Sequence, residues 1–333
     1  MGNAPGFDKP PAAVFGRGNS PLPSVAAALG PRRDSLHCLL QHLAIVISRT
    51  LIPLIMAPTT KKPPAKKIQL ADWYDYPQYF DMVFRNETAM EVAFFEEAFK
   101  RFATGKVKRV LEPGCGSGRL ITEMAARGYR CTGLDLSSAS LRYLQKRLAR
   151  RDLKADLHEA DFTNIDLRNR LGNTEQFDAA FCTFNTFRHL TTEAAAVSHL
   201  QSVARHLRPG GIYILGFHII PLDVAETCIE RWTATHVQTK VTVTLRVIDF
   251  MRRKRLEQIR VSVTAKRPHD TIKLRTEFPL RLYTAKQSLQ TIASAVDFEI
   301  VSVHDFNYEI DEPVEVNEDS VDTIFVLRKR GVY

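Results

Sequence analysis

Cysteine is scarce in this chain, and its spacing suits no structural use of sulfur. The five cysteines among 333 residues are scattered and odd in number, and no CxxC pair or Cys/His ligand spacing occurs. They are Cys38, Cys115, Cys131, Cys182 and Cys228. This pattern excludes a disulfide framework and a structural zinc site. Reduced thiols are typical of a cytosolic protein, so we expect a cytoplasmic location and no metal.

The chain also lacks a long uninterrupted hydrophobic run. The one stretch that invites a membrane interpretation is residues 36–56, and polar residues and a proline break it. Its longest apolar run, residues 43–47, is far shorter than the roughly 20 residues that span a bilayer. A secretory signal fits poorly too, because its apolar core should follow basic residues close to the N-terminus. We therefore expect no membrane association.

Excess positive charge is concentrated near the N-terminus. Residues 1–67 hold nine Lys/Arg and two Asp/Glu, whereas the rest of the chain is nearly balanced with 37 and 35. The first 35 residues are rich in Pro, Gly, Ala and Ser, so we interpret 1–67 as a disordered basic extension. Met56 followed by "APTTKKPPAKK" looks like a natural start, which would place residues 1–55 upstream of it. The overall charge of +9 is thus weak evidence for a nucleic-acid partner.

The body of the chain, residues 68–330, alternates between strand-like and helix-like patterns. Between residues 107 and 217 these patterns predict five strands separated by helices, which requires a parallel sheet with helices on both faces. A β-rich segment without helical periodicity follows, and we assign residues 229–284 to an antiparallel insertion. A helix at 285–295 and strands at 298–306 and 323–328 then return to the main sheet. The expected fold is α/β, with one doubly wound domain.

A glycine-rich turn follows the first of these strands. Gly114, Gly116 and Gly118 alternate with other residues, Glu112 precedes them, and Asp135 ends the next strand. Glycines between a strand and a helix N-terminus let a ligand approach the backbone, and an acid at the second strand end can accept ribose hydroxyls. The spacing is GxGxG, and Arg119 stands where the dinucleotide fingerprint has its third glycine. A ligand with a ribose and a cationic amino-acid group explains this departure better than a pyrophosphate does.

Those requirements describe S-adenosylmethionine. The segments "VLEPGCGSGR", "GLDLS", "ADF" and "LRPGG" resemble, in kind and order, the motifs of class I SAM-dependent methyltransferases. The resemblance implies a mostly parallel seven-stranded, Rossmann-like sheet, with S-adenosylmethionine as cofactor. It assigns adenine recognition to Asp161 and Phe162 after the third strand. The cofactor-binding residues implied or expected are Glu112, Gly114, Cys115, Gly116, Gly118, Arg119, Asp135, Leu136, Asp161, Phe162, Thr183 and Asn185.

More narrowly, the chain looks like the small-molecule branch of that family, which includes sugar amine N-methyltransferases. Members open with a "YD" element, and here "DWYDYPQYFDMVF" offers two alignments. The pair is either Tyr74 with Asp75 or Phe80 with Asp81. We assign Tyr74, Tyr79 and Phe80 to the substrate side or to a lid. The β-rich insertion after the fifth strand is typical of the same branch.

Two histidines are candidates for moving a proton from the methyl acceptor. His189 follows the fourth strand, where the substrate meets the methyl group in this fold, and an imidazole with a pKa near neutrality suits that task. The alternative is a histidine bonded to backbone. His218, just past the fifth strand, is the second candidate. Trp232, Tyr283 and Phe306 could line a substrate pocket or fill the core.

The resemblance implies methyl transfer to an amine or hydroxyl of a small molecule. An RNA or protein methyltransferase is the alternative within this class, supported by the basic run 252–255, although we favour a solvated hairpin turn as the explanation of that run. From other classes, an NAD-linked oxidoreductase or a SAM-binding protein without catalysis stays open. The oligomeric state is open as well, with a homodimer as one possibility.

Overall fold

The computed structural model describes residues 68–221 and 224–331. Predictions for the N-terminal extension, for residues 36–56 and for the start at Met56 lie outside these residues. Twelve strands and six α-helices occur in the described part. The strands are β1 Gln69–Leu70, β2 Arg109–Pro113, β3 Arg130–Asp135, β4 Asp156–Glu159, β5 Phe177–Cys182, β6 Leu207–His218, β7 Ile229–His236, β8 Thr239–Met251, β9 Leu256–Lys266, β10 Thr271–Arg281, β11 Phe298–His304 and β12 Asp322–Lys329. The helices are α1 Pro77–Phe84, α2 Thr88–Phe102, α3 Arg119–Ala126, α4 Ser138–Ala149, α5 Glu193–His206 and α6 Ala285–Ala293.

The main sheet has seven strands in the order β11-β12-β6-β5-β2-β3-β4. Strands β2 to β6 run parallel, and β12 pairs antiparallel with both β6 and β11. The mostly parallel seven-stranded sheet confirms the predicted α/β class. Because the carboxyl ends of parallel strands meet at one edge, the segments that follow β2, β3 and β5 lie near one another.

Local sequence accounts for the helices that flank this sheet. Ser137 caps α4 by accepting the backbone N–H of Ser140, and Leu141, Leu144 and Leu148 are buried at helical spacing. Helix α2 buries Val92, Phe95, Ala98 and Phe99. Each fully buried phenylalanine contributes about 2–3 kcal/mol relative to exposure. The sequence reading assigned no helix to α1 or α2.

A second sheet has the strand order β1-β10-β9-β8-β7. Strands β7 to β10 pair antiparallel in sequence order, whereas β1 joins β10 in parallel. One face is apolar and packs against α1, with Val241, Val243, Val261 and Val263 buried. The 3-10 turn Arg252–Lys254 joins β8 to β9 and is exposed, which confirms the hairpin turn predicted for the basic run.

Sequence and structure differ at several element ends. Strand β6 begins at Leu207, whereas the sequence suggested a turn at 208–211 before a strand. Pairing of Phe177 with Leu207, followed by a register shift, carries the strand through that segment. Within the described residues, no helix is both long and apolar enough to cross a membrane.

Candidate active site

The glycine turn between β2 and α3 forms one wall of the site. Gly114, Gly116 and Gly118 have φ values of 71°, 49° and 69°. At Gly118 a β-carbon would lie 2.1 Å from Leu144 Cδ1, so this glycine permits α3 to pack against α4. At Gly116 the nearest atom to such a carbon would be Asp135 Oδ2 at 4.0 Å. The space beside Gly116 is therefore open, as close approach of a ligand to the backbone requires.

Asp135 at the end of β3 is held facing this turn. Its Oδ2 accepts the Gly116 N–H at 2.7 Å, and its Oδ1 accepts the Ser137 N–H at 2.8 Å. Burial raises the pKa of this carboxyl, and the two backbone N–H groups oppose that effect. Leu136, the next residue, is 64% exposed. A fixed carboxylate beside an exposed apolar side chain suits a ribose with an attached flat ring.

Glu112 on β2 is a buried carboxylate with an unsatisfied oxygen. No described residue donates to its Oε2, and the nearby Ser117 Oγ also has no partner there. Burial raises the pKa of Glu112 well above its ordinary value, although the Arg119 charge opposes this. Buried polar atoms in proteins are almost always paired. An unpaired carboxylate oxygen therefore indicates a ligand that brings a donor.

Arg119, the first residue of α3, is buried, and Glu112 is not the only carboxylate near it. It forms a buried ion pair with Glu91 of α2, and its guanidinium lies 5.1 Å from the Phe184 ring centroid. Thr183 also bonds to Glu91, through Oγ1 to Oε2 at 3.2 Å. Glu91 thus joins two residues that the sequence assigned to the cofactor. The sequence reading missed it, although it precedes Phe95 and Ala98 on the apolar face of α2.

The segment after β5 carries backbone strain. Phe184 and Asn185 are consecutive residues in the left-handed region, with φ values of 63° and 66°. Such conformations in residues other than glycine cluster at functional sites. Asn185 Oδ1 accepts the backbone N–H of His218 at 2.8 Å, so this side chain ties the ends of β5 and β6 together.

His189 ends the short 3-10 helix Thr186–His189, and its partner is a side chain. Its Nε2 lies 2.9 Å from the Tyr74 hydroxyl oxygen, and its ring centroid lies 5.1 Å from that of Phe278 on β10. Burial lowers the pKa of His189 to about 4, and the Arg188 charge adds to this. The expected pKa near neutrality was therefore wrong, because the sequence showed neither the burial nor the effect of Arg188. The imidazole is neutral at pH 7.

Tyr74 reaches His189 from a 3-10 helix, Trp73–Asp75, near the beginning of the described chain. Asp72 caps this helix, and the Tyr74 carbonyl accepts the Ser140 hydroxyl at 2.8 Å. Burial raises the pKa of Tyr74, so its phenol stays protonated. Tyr74 is the residue of the opening element that contacts His189.

Phe80 and Tyr79, the other two residues assigned to the opening element, differ in their surroundings. Phe80 packs in an aromatic cluster, 5.2 Å from Trp73 and 4.8 Å from Phe84 between ring centroids. Tyr79 is buried beneath the second sheet and accepts a bond from Arg267 at 2.7 Å. Asp81, in the second possible "YD" alignment, is buried and paired with Arg147 of α4.

The remaining predicted residues lie as follows. Asp161 is exposed and caps the short helix Phe162–Asn164, accepting the Thr163 N–H at 2.8 Å, while Phe162 is buried. Cys115 is buried, and its N–H bonds to Leu134 at 2.8 Å. The adenine role of Asp161 and Phe162 stays a prediction.

His218 is engaged away from the Tyr74–His189 pair. Its Nε2 lies 3.0 Å from an Asp322 carboxylate oxygen across the β6–β12 ladder, and its ring lies near Phe306. Tyr283 is fully buried in the core, and Trp232 packs against Phe84 under the second sheet.

The sequence reading also missed a buried network that fixes the His189 helix. Arg188 pairs with Glu257 of β9, and its Nε donates to the Arg281 carbonyl at 2.8 Å. Arg281 in turn pairs with Glu193 at 2.6 Å. The partners are 69 or more residues apart in sequence, so no local pattern reveals them. The network anchors His189 to the second sheet.

Comparison with known proteins agrees with this geometry. Residues 110–211 match the family model described as a methyltransferase domain. This segment of the chain is therefore similar to a methyltransferase domain. The matched segment includes the glycine turn, Asp135 and the end of β5.

Curated proteins that are similar to this segment are named for different acceptor molecules. The cypemycin N-terminal methyltransferase of a Streptomyces species is 32% identical over 108 residues, which are 32% of this chain and 41% of that protein. A ubiquinone biosynthesis O-methyltransferase of Aromatoleum aromaticum is 34% identical over 104 residues, 31% of this chain and 41% of the relative. The dTDP-3-amino-3,4,6-trideoxy-alpha-D-glucopyranose N,N-dimethyltransferase of Streptomyces venezuelae is 28% identical over 137 residues, 41% of this chain and 52% of the relative. The chain thus spans about half or less of the length of these relatives.

Solved structures share the fold over a larger part of the chain. An S-adenosylmethionine-dependent methyltransferase from Clostridium acetobutylicum aligns with a TM-score of 0.62 and 15% identity, covering 78% of this chain and 99% of that one. DesVI from Streptomyces venezuelae gives a TM-score of 0.61 and 17% identity, with 79% and 100% covered. The sugar N-methyltransferase KedS8 from a Streptoalloteichus species gives 0.59 and 16%, with 84% and 100% covered.

Proposed function

We propose that the protein transfers a methyl group from S-adenosylmethionine to an amine or hydroxyl of a small molecule. The observation that carries the proposal is the pair of carboxylates on either side of the glycine turn. Asp135 is fixed by two backbone N–H groups, whereas Glu112 has a buried oxygen without a donor. Asp135 would suit the neutral hydroxyls of a ribose, and Glu112 would suit a cationic group.

The described residues fit S-adenosylmethionine group by group. Asp135 would accept the ribose hydroxyls, and the exposed Leu136 would lie against the adenine. Glu112 would accept from the ammonium group, directly or through water, which gives its Oε2 the missing donor. The open space beside Gly116 would admit the ligand to the backbone. When bound, S-adenosylmethionine supplies a methyl group already activated by a sulfonium.

The side chains that would receive the methyl acceptor are aromatic. Tyr74, His189 and Phe278 contact one another, with ring centroids 5.1–5.9 Å apart. Aromatic faces attract cations, so this surface favours an amine over a hydroxyl. Phe278 belongs to β10, which makes the second sheet the substrate side of the site.

The low pKa of His189 limits what this residue can do. An imidazole with a pKa of about 4 is a poor base for a protonated alkylamine. Neutral imidazole paired with the Tyr74 phenol instead offers one donor and one acceptor that can orient an amine N–H. His189 and Tyr74 would thus place the nitrogen lone pair in line with the methyl group, which is the main requirement for this reaction.

The names of the relatives support a small acceptor, since they include a sugar dimethyltransferase and a sugar N-methyltransferase. A cytoplasmic location belongs to the same proposal. The alternative acceptors are RNA and proteins. The exposed basic turn Arg252–Lys254 is the feature that would favour RNA.

Calorimetric titration of the protein with S-adenosylmethionine, S-adenosylhomocysteine and NAD tests the cofactor. Asp135→Asn should lose most of the affinity for both adenosyl ligands. The matched control is Asp156→Asn, because Asp156 is an exposed carboxylate at the start of β4. Binding of NAD without the adenosyl ligands would overturn the proposal in favour of an oxidoreductase.

A turnover screen with amines, phenols, carboxylates and RNA then tests the acceptor. Methylation of amines, reduced in His189→Gln while the affinity for S-adenosylmethionine is kept, supports the proposal. Turnover confined to RNA would replace the small-molecule acceptor. Tight cofactor binding with no turnover on any acceptor would identify a non-catalytic binding protein.

A further inference from the structure

The outer face of the second sheet is strongly basic. Alternation along β7 to β10 places the buried valines on the inner face and polar residues on the outer one. Apart from Arg281, which is buried at the end of β10 and paired with Glu193, seven of the described residues of this outer face are basic and two are acidic. The basic residues are Arg231, Lys240, Arg246, Arg260, Lys266, Lys273 and Arg275, and the acidic ones are Asp249 and Glu277.

Three of the arginines surround an open cavity of about 340 Å³ in the middle of this face. Arg246 lies on β8, Arg260 on β9 and Arg275 on β10. Two hydroxyl-bearing residues, Thr244 and Ser262, complete the lining. The cavity faces away from His189 and Phe278, which lie on the inner side of the same sheet.

The charges around the cavity are not balanced by the protein. Arg246 and Arg260 are directly opposite each other on neighbouring antiparallel strands. Like charges in that position destabilise a sheet. In the part of the chain that the structure describes, Glu277 is the one carboxylate in ion-pair contact with these three arginines, at 2.6 Å from Arg260 Nε. The arginines therefore retain two uncompensated charges.

Arg275 supplies an independent sign of a missing partner. Its Nε is buried and has no hydrogen-bond partner among the described residues. A buried guanidinium donor left unpaired is unfavourable by about 1–3 kcal/mol or more. An anion in the cavity would accept this bond and separate the two opposed guanidinium groups.

The lining chemistry selects the kind of anion. Guanidinium groups bind phosphate oxygens through paired N–H groups, and hydroxyls donate to the same oxygens. The described outer face carries no aromatic side chain on which a nucleobase could stack, unlike surfaces that bind single-stranded nucleic acid. We propose that this cavity binds a compact phosphoryl anion, such as a phosphate monoester or a pyrophosphate group. This inference does not depend on the proposed methyl transfer.

Calorimetric titration of the full chain with inorganic pyrophosphate and with inorganic phosphate, at physiological ionic strength, tests the site. Arg246→Gln and Arg275→Gln should each weaken pyrophosphate binding by about tenfold. Lys273→Gln is the matched control, because it removes one charge from the same face outside the cavity and should change affinity by less than about threefold. Equal losses in all three variants would show general attraction and overturn the site.

Two further measurements keep the test independent of how the variants fold. The Nε–Hε resonance of Arg275 in the wild-type protein should shift on titration with pyrophosphate, and saturating S-adenosylmethionine should not compete. Without anion, Arg246→Gln should resist urea at least as well as wild type, because the opposed charge is gone. If the wild-type protein does not bind pyrophosphate, the proposal is overturned. This holds also if the protein proves to be a dimer whose interface covers this face.

Discussion

The hydroxyl oxygen of Tyr74 lies 2.9 Å from Nε2 of His189, across 115 residues of sequence. Tyr74 comes from the opening 3-10 helix and His189 from the segment that follows β5. Burial raises the pKa of the phenol and lowers that of the imidazole, so both groups are neutral at pH 7. A neutral pair of this kind can orient an acceptor without adding charge to the proposed site of a cationic cofactor.

Loss of the Tyr74 hydroxyl should lower turnover and leave cofactor binding intact. Tyr74→Phe removes the partner of His189 Nε2, and a hydrogen bond of this kind is worth about 1 kcal/mol, or roughly fivefold in rate. The measurement is kcat on the best amine substrate, with the Kd for S-adenosylmethionine beside it. Tyr76→Phe is the control, because the Tyr76 hydroxyl accepts a hydrogen bond from the exposed side chain of Gln69. Equal effects of both variants would contradict a specific role for the pair.

Stability should fall as the pH is lowered from about 6.5 to about 4, because of two buried histidines. Burial lowers the pKa of His189 and of His199 to about 4, so between pH 6.5 and 4 the unfolded chain binds more protons than the folded one. The free energy of unfolding therefore decreases as the pH falls through this window, by on the order of 3 kcal/mol per histidine at most. Urea unfolding at several pH values measures it.

His189→Gln should reduce this pH dependence, and the exposed His158→Gln is its control. An identical dependence in wild type and His189→Gln would show that His189 does not keep its low pKa in solution.

Alanine at Gly116 and at Gly118 should affect different properties. A β-carbon at position 118 would lie 2.1 Å from Leu144 Cδ1 at a φ of 69°, so Gly118→Ala should lower the free energy of unfolding by about 2–4 kcal/mol. Position 116 has open space, and Gly116→Ala should cost only about 1 kcal/mol from its φ of 49° while reducing cofactor affinity strongly. Chemical unfolding and calorimetric titration separate the two effects. Gly116→Ala with unchanged affinity would remove this turn from the cofactor site.

Glu112→Gln should lower the affinity for S-adenosylmethionine without lowering the free energy of unfolding. The raised pKa of Glu112 means that the folded state holds this carboxyl at a cost that grows as the pH rises above 4.5. An uncharged isostere avoids this cost, so at pH 7 the free energy of unfolding should stay equal or increase. Affinity for S-adenosylmethionine should fall about tenfold or more, because the ammonium loses a charged acceptor. A stability loss above about 2 kcal/mol would indicate that Glu112 has a structural partner instead.

The parts of the site that the sequence predicted depend on local geometry. A strand, a glycine turn and a helix within about twenty residues place Gly116 and Asp135 in contact, and the 2.7 Å bond between them confirms that proximity. The α/β class was predictable for the same reason, because the spacing of apolar residues within each strand and each helix is a local property of the sequence. Leu136 and Glu112 were assigned from their positions at strand ends, and their roles stay predictions.

Contacts between distant segments could not be predicted from the sequence. Glu91 meets Arg119 and Thr183 across 28 and 92 residues, and Arg188 meets Glu257 across 69. The low pKa of His189 is a consequence of burial and, to a lesser extent, of the neighbouring Arg188 charge. Glu112 Oε2 has no hydrogen-bond donor among the described residues, and a missing donor can be recognised only once the packed structure is known.

The antiparallel strand β12 lies between β6 and β11 in the main sheet. During synthesis, residues 207–218 and 298–304 leave the ribosome before residues 322–329. Strands β6 and β11 therefore each have an unpaired edge until β12 is made and pairs between them. The glycine turn after β2 can form early from local sequence, but the sheet that supports it is incomplete until β12 pairs with β6 and β11. An unpaired strand edge is a place where partly made chains can associate, and pairing of β12 removes two such edges.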